Sequence, residues 1–362
     1  MQLFISLFTP FIIALTVTSL LIPMWIAVCH KWKLFDSPDV RKLHSDCIPS
    51  MGGLAIYAGV FMSFFLFADL AHLENLKFLL CGTILLFFTG FFDDLLDIAA
   101  SRKLAIHVVA AFIVVAGGNR ITSLYGIAGL DEIPLWMQYP VTIFFIIAVT
   151  NAYNLIDGID GLAGSLGVIG SLTFGFVFLE YGQTVFAILS FCISGSLIGF
   201  LCYNFHPAKI FMGDTGSLLI GFILSSLSVN LLSINEISHA GGIYVSPSFI
   251  AAVIFIPVYD IIRVFMIRLL NGDSPLKADR NHLHHMILKN GFGHRGATLV
   301  LCSFNVVVIL MAVIFNSINV NLFIVLAVCM AILTLNTITI QRGLWLIRKI
   351  SGKELKDPAS AG

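Results

Sequence analysis

Apolar runs of roughly twenty residues recur along almost the whole of this chain, and they leave few folds open. Backbone inside hydrocarbon has no water to satisfy its N–H and C=O groups, so each run must close its own hydrogen bonds as a helix. Cutting the sequence at its charged and glycine-rich breaks gives about eleven such segments. They are 3–28, 51–70, 76–92, 104–118, 134–153, 161–180, 185–203, 216–233, 247–268, 298–316 and 319–340. Charged residues make up 11% of the 362, against about 25% in soluble domains, and mean hydropathy is +0.98. The expected fold is therefore all-α, a polytopic membrane bundle. Residues 1–340 form a single transmembrane domain, and 341–362 a cytoplasmic tail expected to be disordered.

The first run has no basic residue before it and is followed by Lys31 and Lys33, so it reads as an uncleaved span, not a signal peptide. The seven cysteines are scattered, with no CxxC, and read as small packing residues. Net charge is zero, which gives no electrostatic reason to expect a nucleic-acid partner.

Lys and Arg set the orientation. With the N-terminus outside, 18 of the 20 basic residues fall on one side, and only Lys77 and Arg120 on the other. The rich side is cytoplasmic, which puts the N-terminus in the periplasm and the C-terminus in the cytoplasm. Asp93, Asp94, Asp157, Asp160, Asp214, His282, His284 and His285 then gather at the cytoplasmic face.

Five stretches at that face carry chemistry. In GFFDDLLDIAASRK (90–103), Asp93 and Asp97 are four apart and would share a helix face, with Asp94 beside them. Carboxylates this close to hydrocarbon are costly unless a cation offsets them. In NAYNLIDGIDGLAG (151–164), Asn151, Asn154, Asp157 and Asp160 recur every third residue, a drifting stripe on one helix, but Gly158 and Gly161 are expected to break the helix and let backbone approach a ligand. Amide and carboxylate oxygens are the ligands that hard cations such as Mg²⁺ take. In NFHPAKIFMGDTGSLLIG (204–221), Asp214 stands between glycines at the start of a span, a place suited both to capping and to phosphate. In SPLKADRNHLHHMILKNGFGHR (274–295), histidines follow Arg280 in a pattern that suits pyrophosphate better than zinc. FDSPDVRKLHSDCIPSMGG (35–53) brings Lys42 and His44.

Taken in order, RKxH…PxxGG, DDxxD, NxxNxxDGxDGL, FMGDxGS and DRxHxHH resemble the polyprenyl-phosphate N-acetylhexosamine-1-phosphate transferases, from about residue 35 to 295. SPLKADRNHLHH is similar to the bacterial WecA-type branch. Many relatives carry Pro-x-Pro before the Gly-Gly; here Cys47 holds the first position and Pro49 is kept. The resemblance implies transfer of N-acetylglucosamine-1-phosphate from UDP-N-acetylglucosamine to undecaprenyl phosphate, with release of UMP and with Mg²⁺ or Mn²⁺. It implies a bacterial inner-membrane enzyme facing the cytoplasm, one that starts a polysaccharide such as O antigen or enterobacterial common antigen. A homodimer is one arrangement open to such a chain.

By the same resemblance Asp214 and Asn154 are metal ligands, and Asp93 is the base that deprotonates lipid phosphate, with Asp94 supporting it. Lys103 holds the lipid phosphate and Asp160 lies near the nucleoside. Arg280, His282 and His284 hold the pyrophosphate, together with His285, which is counted in the catalytic set. Lys42 and His44 are substrate-binding. Asp157, also in the catalytic set, has two open roles: positioning Asn154 or approaching the metal. The rival readings are the same reaction with another UDP-N-acetylhexosamine, an intramembrane aromatic prenyltransferase, and a multipass transporter.

Overall fold

The computed structural model describes residues 2–32, 48–69, 74, 76–237, 246–274, 281–315 and 318–336. Lys42, His44, Arg280 and the tail lie outside them. The order begins α1 (Gln2–Trp32), α2 (Gly52–Phe67), α3 (Lys77–Leu96) and α4 (Ala100–Ala116), then strands β1 (Ser123–Ile127) and β2 (Leu130–Glu132). It continues α5 (Leu135–Ile156), α6 (Leu162–Glu180), α7 (Thr184–Asn204), α8 (Gly213–Ile237), α9 (Pro247–Val253) and α10 (Phe255–Leu270). It closes with α11 (Leu283–Lys289), α12 (His294–Ile314) and α13 (Val320–Ala331), which runs into a π-helical turn, Ile332–Asn336.

Within the described residues each expected span falls mainly on helix, but not all are equally long. Among the described residues, seven helices are long and apolar enough to cross a membrane, or eight if the bent pair α9 and α10 counts as one span. The expected segments 51–70, 104–118 and 319–340 correspond to the shorter α2, α4 and α13. The chain is thus a polytopic helical membrane protein. One departure from all-α is the antiparallel hairpin β1–β2, pairing Ser123 with Glu132 and Ile127 with Leu130. Asn321, opening α13, accepts from Ala128 N–H at 3.0 Å and donates to the Gly126 carbonyl at 2.6 Å, tying the hairpin to the bundle.

α8 is the central post. Of its apolar window 89% is buried, against 17% for α1. It packs against α2, α3, α5 and α6. At Gly90 of α3, an added Cβ would lie 2.6 Å from Thr215 backbone atoms, so only glycine lets the ends of α3 and α8 meet this closely.

The ninth expected span is broken. α9 and α10 meet at 79°. Pro257 has no N–H, so the Val253 carbonyl loses its helical donor. Asn305 of α12 supplies one at 3.4 Å and accepts the Ile256 N–H at 3.2 Å. One buried amide thus meets both needs of the break, as irregular backbone among membrane helices requires.

Candidate active site

The site is built where α3, α4, α5 and α8 end or begin. α3 stops at Leu96, and Asp97 caps it in the left-handed region at φ 52°. The helix face expected to join Asp93 to Asp97 therefore does not form, and Asp97 is exposed. The chain turns into α4, whose first turn carries Lys103 back over the end of α3. Its ammonium donates to Asp93 Oδ2 at 2.6 Å and also to Asp214 Oδ2. Asp93 Oδ1 accepts the Ile98 N–H at 3.0 Å.

Asp94 turns the other way, onto the start of α8. Oδ1 accepts the Asp214 N–H at 2.8 Å, and Oδ2 accepts the Thr215 N–H at 3.0 Å and its hydroxyl at 2.6 Å. Backbone N–H groups of a first helical turn have no partner within the helix, and Asp94 satisfies two of them from a different helix. Gly213, at φ +74°, allows this: a Cβ there would lie 2.6 Å from Asp94 Oδ2. The PSMGG stretch lies alongside, with Phe211 N–H on the Pro49 carbonyl (2.7 Å) and Gly52 and Gly53 N–H on the Phe211 and Met212 carbonyls (both 2.9 Å).

The three-residue stripe splits. Asn151 is exposed on α5. Asn154, in its last turn, donates to Asp214 Oδ1 at 2.9 Å and Ser217 Oγ at 3.0 Å. Asp157 caps α5 and lies half-buried nearby. Burial first, then the carboxylates of Asp214, Asp94 and Asp160, push its carboxyl from 3.8 up to about 8.

Asp160 departs from the others. It is 3% exposed and faces α12. Oδ2 pairs with His206 Nδ1 at 2.6 Å and the Ala208 N–H at 3.1 Å, and Oδ1 lies 3.2 Å from His294 Nδ1. Burial alone would raise this carboxyl, but the bonds from His294 and His206 prevail and hold it at about 2. Ligand atoms of Asp160, His206 and His294 lie within 4.8 Å of one another, the one such grouping among the described residues. Imidazole nitrogens are not the ligands magnesium takes.

The histidine segment arrives from the far side. His282 and His284 are buried and His285 half-buried, with ring centroids 5.8 Å apart for the first pair and 4.3 Å for the second. His284 sits under Gly158, where a Cβ would meet Nε2 at 2.3 Å. Neither ring nitrogen of His284 has a hydrogen-bond partner. Burial, then the neighbouring His285, His282 and His294, hold it well below the usual histidine range, so it is neutral at pH 7. Leaving both nitrogens unsatisfied costs free energy that a bound ligand would recover.

Asp93, Asp94, Lys103, Asn154, Asp157 and Asp214 thus meet at one place, and His284 reaches the same loop through Gly158. Asp160 lies on the loop's other side. Asp93 and Asp214 share the one ammonium, and with Asp94 committed to α8, the oxygens of Asp214 and Asn154 form a hard-ligand set that fits a divalent cation. Sequence reasoning gave no role to Asn204, Thr215 or Asp260. Asn204 accepts the Gly161 N–H and donates to the Ile210 carbonyl, both at 2.9 Å, fastening the Asp160 loop to the segment before Asp214. The signal for Asp260 was present: a lone carboxylate inside an apolar run demands a partner.

Residues 76–232 match the family model described as Glycosyl transferase family 4. A Bacillus subtilis protein named "Probable undecaprenyl-phosphate N-acetylglucosaminyl 1-phosphate transferase" is 33% identical over 330 residues, 89% of this chain and 88% of the relative. An Escherichia coli O157:H7 undecaprenyl-phosphate alpha-N-acetylglucosaminyl 1-phosphate transferase is 33% identical over 280 residues, 76% of this chain and 74% of its own. A Mycobacterium leprae decaprenyl-phosphate N-acetylglucosaminephosphotransferase is 32% identical over 287 residues, 73% and 72% of the two chains. With its motifs, its helical membrane fold and matches of this length, the chain belongs to glycosyl transferase family 4, the polyprenyl-phosphate N-acetylhexosamine-1-phosphate transferases.

Proposed function

We propose that the protein transfers N-acetylglucosamine-1-phosphate from UDP-N-acetylglucosamine to undecaprenyl phosphate. The products are undecaprenyl-pyrophosphoryl-N-acetylglucosamine and UMP. The observation that carries the reading is the Lys103 ammonium bridging Asp93 and Asp214 where three helices end, beside Asn154. Such a charge pattern suits two phosphate substrates and a cation, and it explains why carboxylates terminate apolar helices.

Asp93 accepts the last proton of the lipid phosphate. A phosphate oxygen attacks the β-phosphorus of the sugar nucleotide, a P–O bond forms, and the bond to UMP breaks. Lys103 leaves its carboxylate partners to hold the lipid phosphate. Mg²⁺ or Mn²⁺, held by Asp214 and Asn154, would supply charge neutralisation on the diphosphate. His282, His284 and His285, with Arg280, hold the donor's phosphates, and the unsatisfied nitrogens of His284 support this. Asp160 lies near the nucleoside, and Asp157 positions Asn154 or approaches the metal. Direct attack is preferred because in-line phosphoryl transfer needs positioning and charge neutralisation more than an enzyme nucleophile.

We place the reaction at the cytoplasmic face of the bacterial inner membrane, on a bundle of about eleven spans with the N-terminus in the periplasm. Its product would start a cell-surface polysaccharide such as O antigen or enterobacterial common antigen. The test is a transfer assay on membranes containing the protein, with radiolabelled UDP-N-acetylglucosamine, undecaprenyl phosphate and Mg²⁺. Lipid-extractable label and UMP release, both abolished by EDTA, are expected. Label moving only from UDP-N-acetylgalactosamine would correct the sugar, and no transfer from any nucleotide sugar by well-inserted protein would overturn the reading.

A further inference from the structure

Asp260 is a carboxylate in the middle of an apolar helix, 2% exposed, and the transfer chemistry above does not use it. What it holds is the start of the histidine segment. Oδ1 accepts the Leu283 N–H at 2.7 Å, and Oδ2 meets His282 Nδ1 at 2.9 Å. Arg263, one turn further along α10, approaches Asp260 Oδ1 at 3.6 Å and donates to the Asn281 carbonyl at 2.6 Å. Three consecutive residues, Asn281, His282 and Leu283, are therefore gripped by two side chains of one helix. That helix is itself set at 79° to α9 by the break that Asn305 bridges.

The grip has a chemical consequence. The Asp260 carboxylate is an acceptor at both oxygens, so the proton between it and His282 belongs to Nδ1. That fixes the imidazole as the Nδ1–H tautomer and leaves Nε2 as the nitrogen free to accept. Carboxylate–imidazole pairs of this kind set both tautomer and ring orientation. His282 then lies nearly parallel to His284, at 11° between rings and 5.8 Å between centroids, and His284 touches Gly158 in the loop that carries Asn154 and Asp157. A shift of His282 would pass through His284 to that loop.

We propose that Asp260, with Arg263, is a positioning residue for the donor half of the site: it fixes the tautomer and orientation of His282 and seats the HLHH turn beneath Gly158. This rests on the reading that these histidines hold the donor's phosphates. Two measurements keep the two ideas apart. The first needs no turnover. In ¹⁵N-histidine spectra of the detergent-solubilised protein, His282, assigned by its loss in His282→Ala, should show the Nδ1–H tautomer. In Asp260→Asn, whose amide can donate to Nδ1, it should move to Nε2–H. An unchanged tautomer overturns the proposal, whatever the enzyme's substrate.

The second is a double-mutant cycle in the transfer assay, normalised to inserted protein. Asp260→Asn and His282→Ala should each lower kcat/KM for the sugar nucleotide by about 10–100-fold, as loss of such outer partners does. KM for undecaprenyl phosphate should stay within about twofold of wild type, and the double variant should be no worse than about threefold below the poorer single one. Asp260→Glu, which keeps a carboxylate, should recover part of the loss. Multiplicative losses, full activity of His282→Ala, or equal activity of the Glu and Asn variants would overturn the proposal. Should Asp260→Asn unfold in detergent, the cycle is run in native membranes with the same readings.

Discussion

Asp214 ties the start of α8 to α3, α4 and α5. Lys103 and Asn154 reach its carboxylate, and Asp94 takes its N–H. Asp214→Ala should leave the fold in place, because Asp94 can still cap α8 through Thr215, and should cost about 10²–10³ in kcat. A correctly inserted variant with near-normal turnover would remove Asp214 from the mechanism. Asp160 gives a prediction of another kind. Its carboxyl is held at about 2 against the usual 3.8, a difference of about 2 kcal/mol by linkage. The folded-state value is depressed, so this stabilisation is fully present above about pH 4 and is lost as pH falls through about 2. Asp160→Asn should therefore unfold more easily at pH 7, and the gap from wild type should close on acidification; thermal unfolding in detergent at pH 7, 5 and 3 checks it. At this scale the sequence was informative about residue types and less so about partners. The charge partition put Asp93 and Asp214 on one side of the membrane, and the structure brings the two together on the Lys103 ammonium, with Asn154 beside them. The break expected at Gly158 and Gly161 is present: α5 ends at Ile156, and Asp160 leaves the face of Asn154 for His206 and His294, partners that a periodic pattern cannot name.

Among the elements, the apolar runs were legible because burial in hydrocarbon forces helix regardless of propensity. The failures lie where a tertiary contact decides. The kink between α9 and α10 was hidden, although Pro257 was visible, because a proline leaves open whether a helix bends or ends. Asn305 resolves it from a distant helix. Asn305→Leu keeps the volume while stranding the Val253 carbonyl and the Ile256 N–H. It should destabilise the protein by about 1–3 kcal/mol, with His282 losing its register because α10 carries Asp260; unfolding temperature and transfer rate measured together test both. The hairpin escaped notice because β1 and β2 are short and sit between spans, where alternation extends over only a few residues. α11 is a seven-residue helix whose start is fixed by Asp260 rather than by a cap of its own.

For the whole molecule, orientation rests on charge asymmetry, which acts during insertion and leaves no hydrogen bond to find. Single cysteines at two exposed positions, Asp131→Cys in the hairpin and Asn271→Cys after α10, read it directly in a background with the native cysteines replaced. An impermeant maleimide should label the first in intact cells and the second only after permeabilisation; the reverse pattern would invert the topology. The burial of α8 reaches further. Asp214 sits at the tip of the most deeply buried of the long apolar helices, so on the proposed mechanism the height of the reaction plane is set by the body of the bundle and not by the headgroups of the surrounding lipid. Acyl chains a few carbons longer or shorter would raise or lower the undecaprenyl phosphate relative to that plane, at a cost of fractions of a kcal/mol per Å. In vesicles of graded thickness the rate should peak at one chain length while the affinity for the water-soluble nucleotide stays level: the bilayer acts as a spacer gauge for one substrate and is invisible to the other.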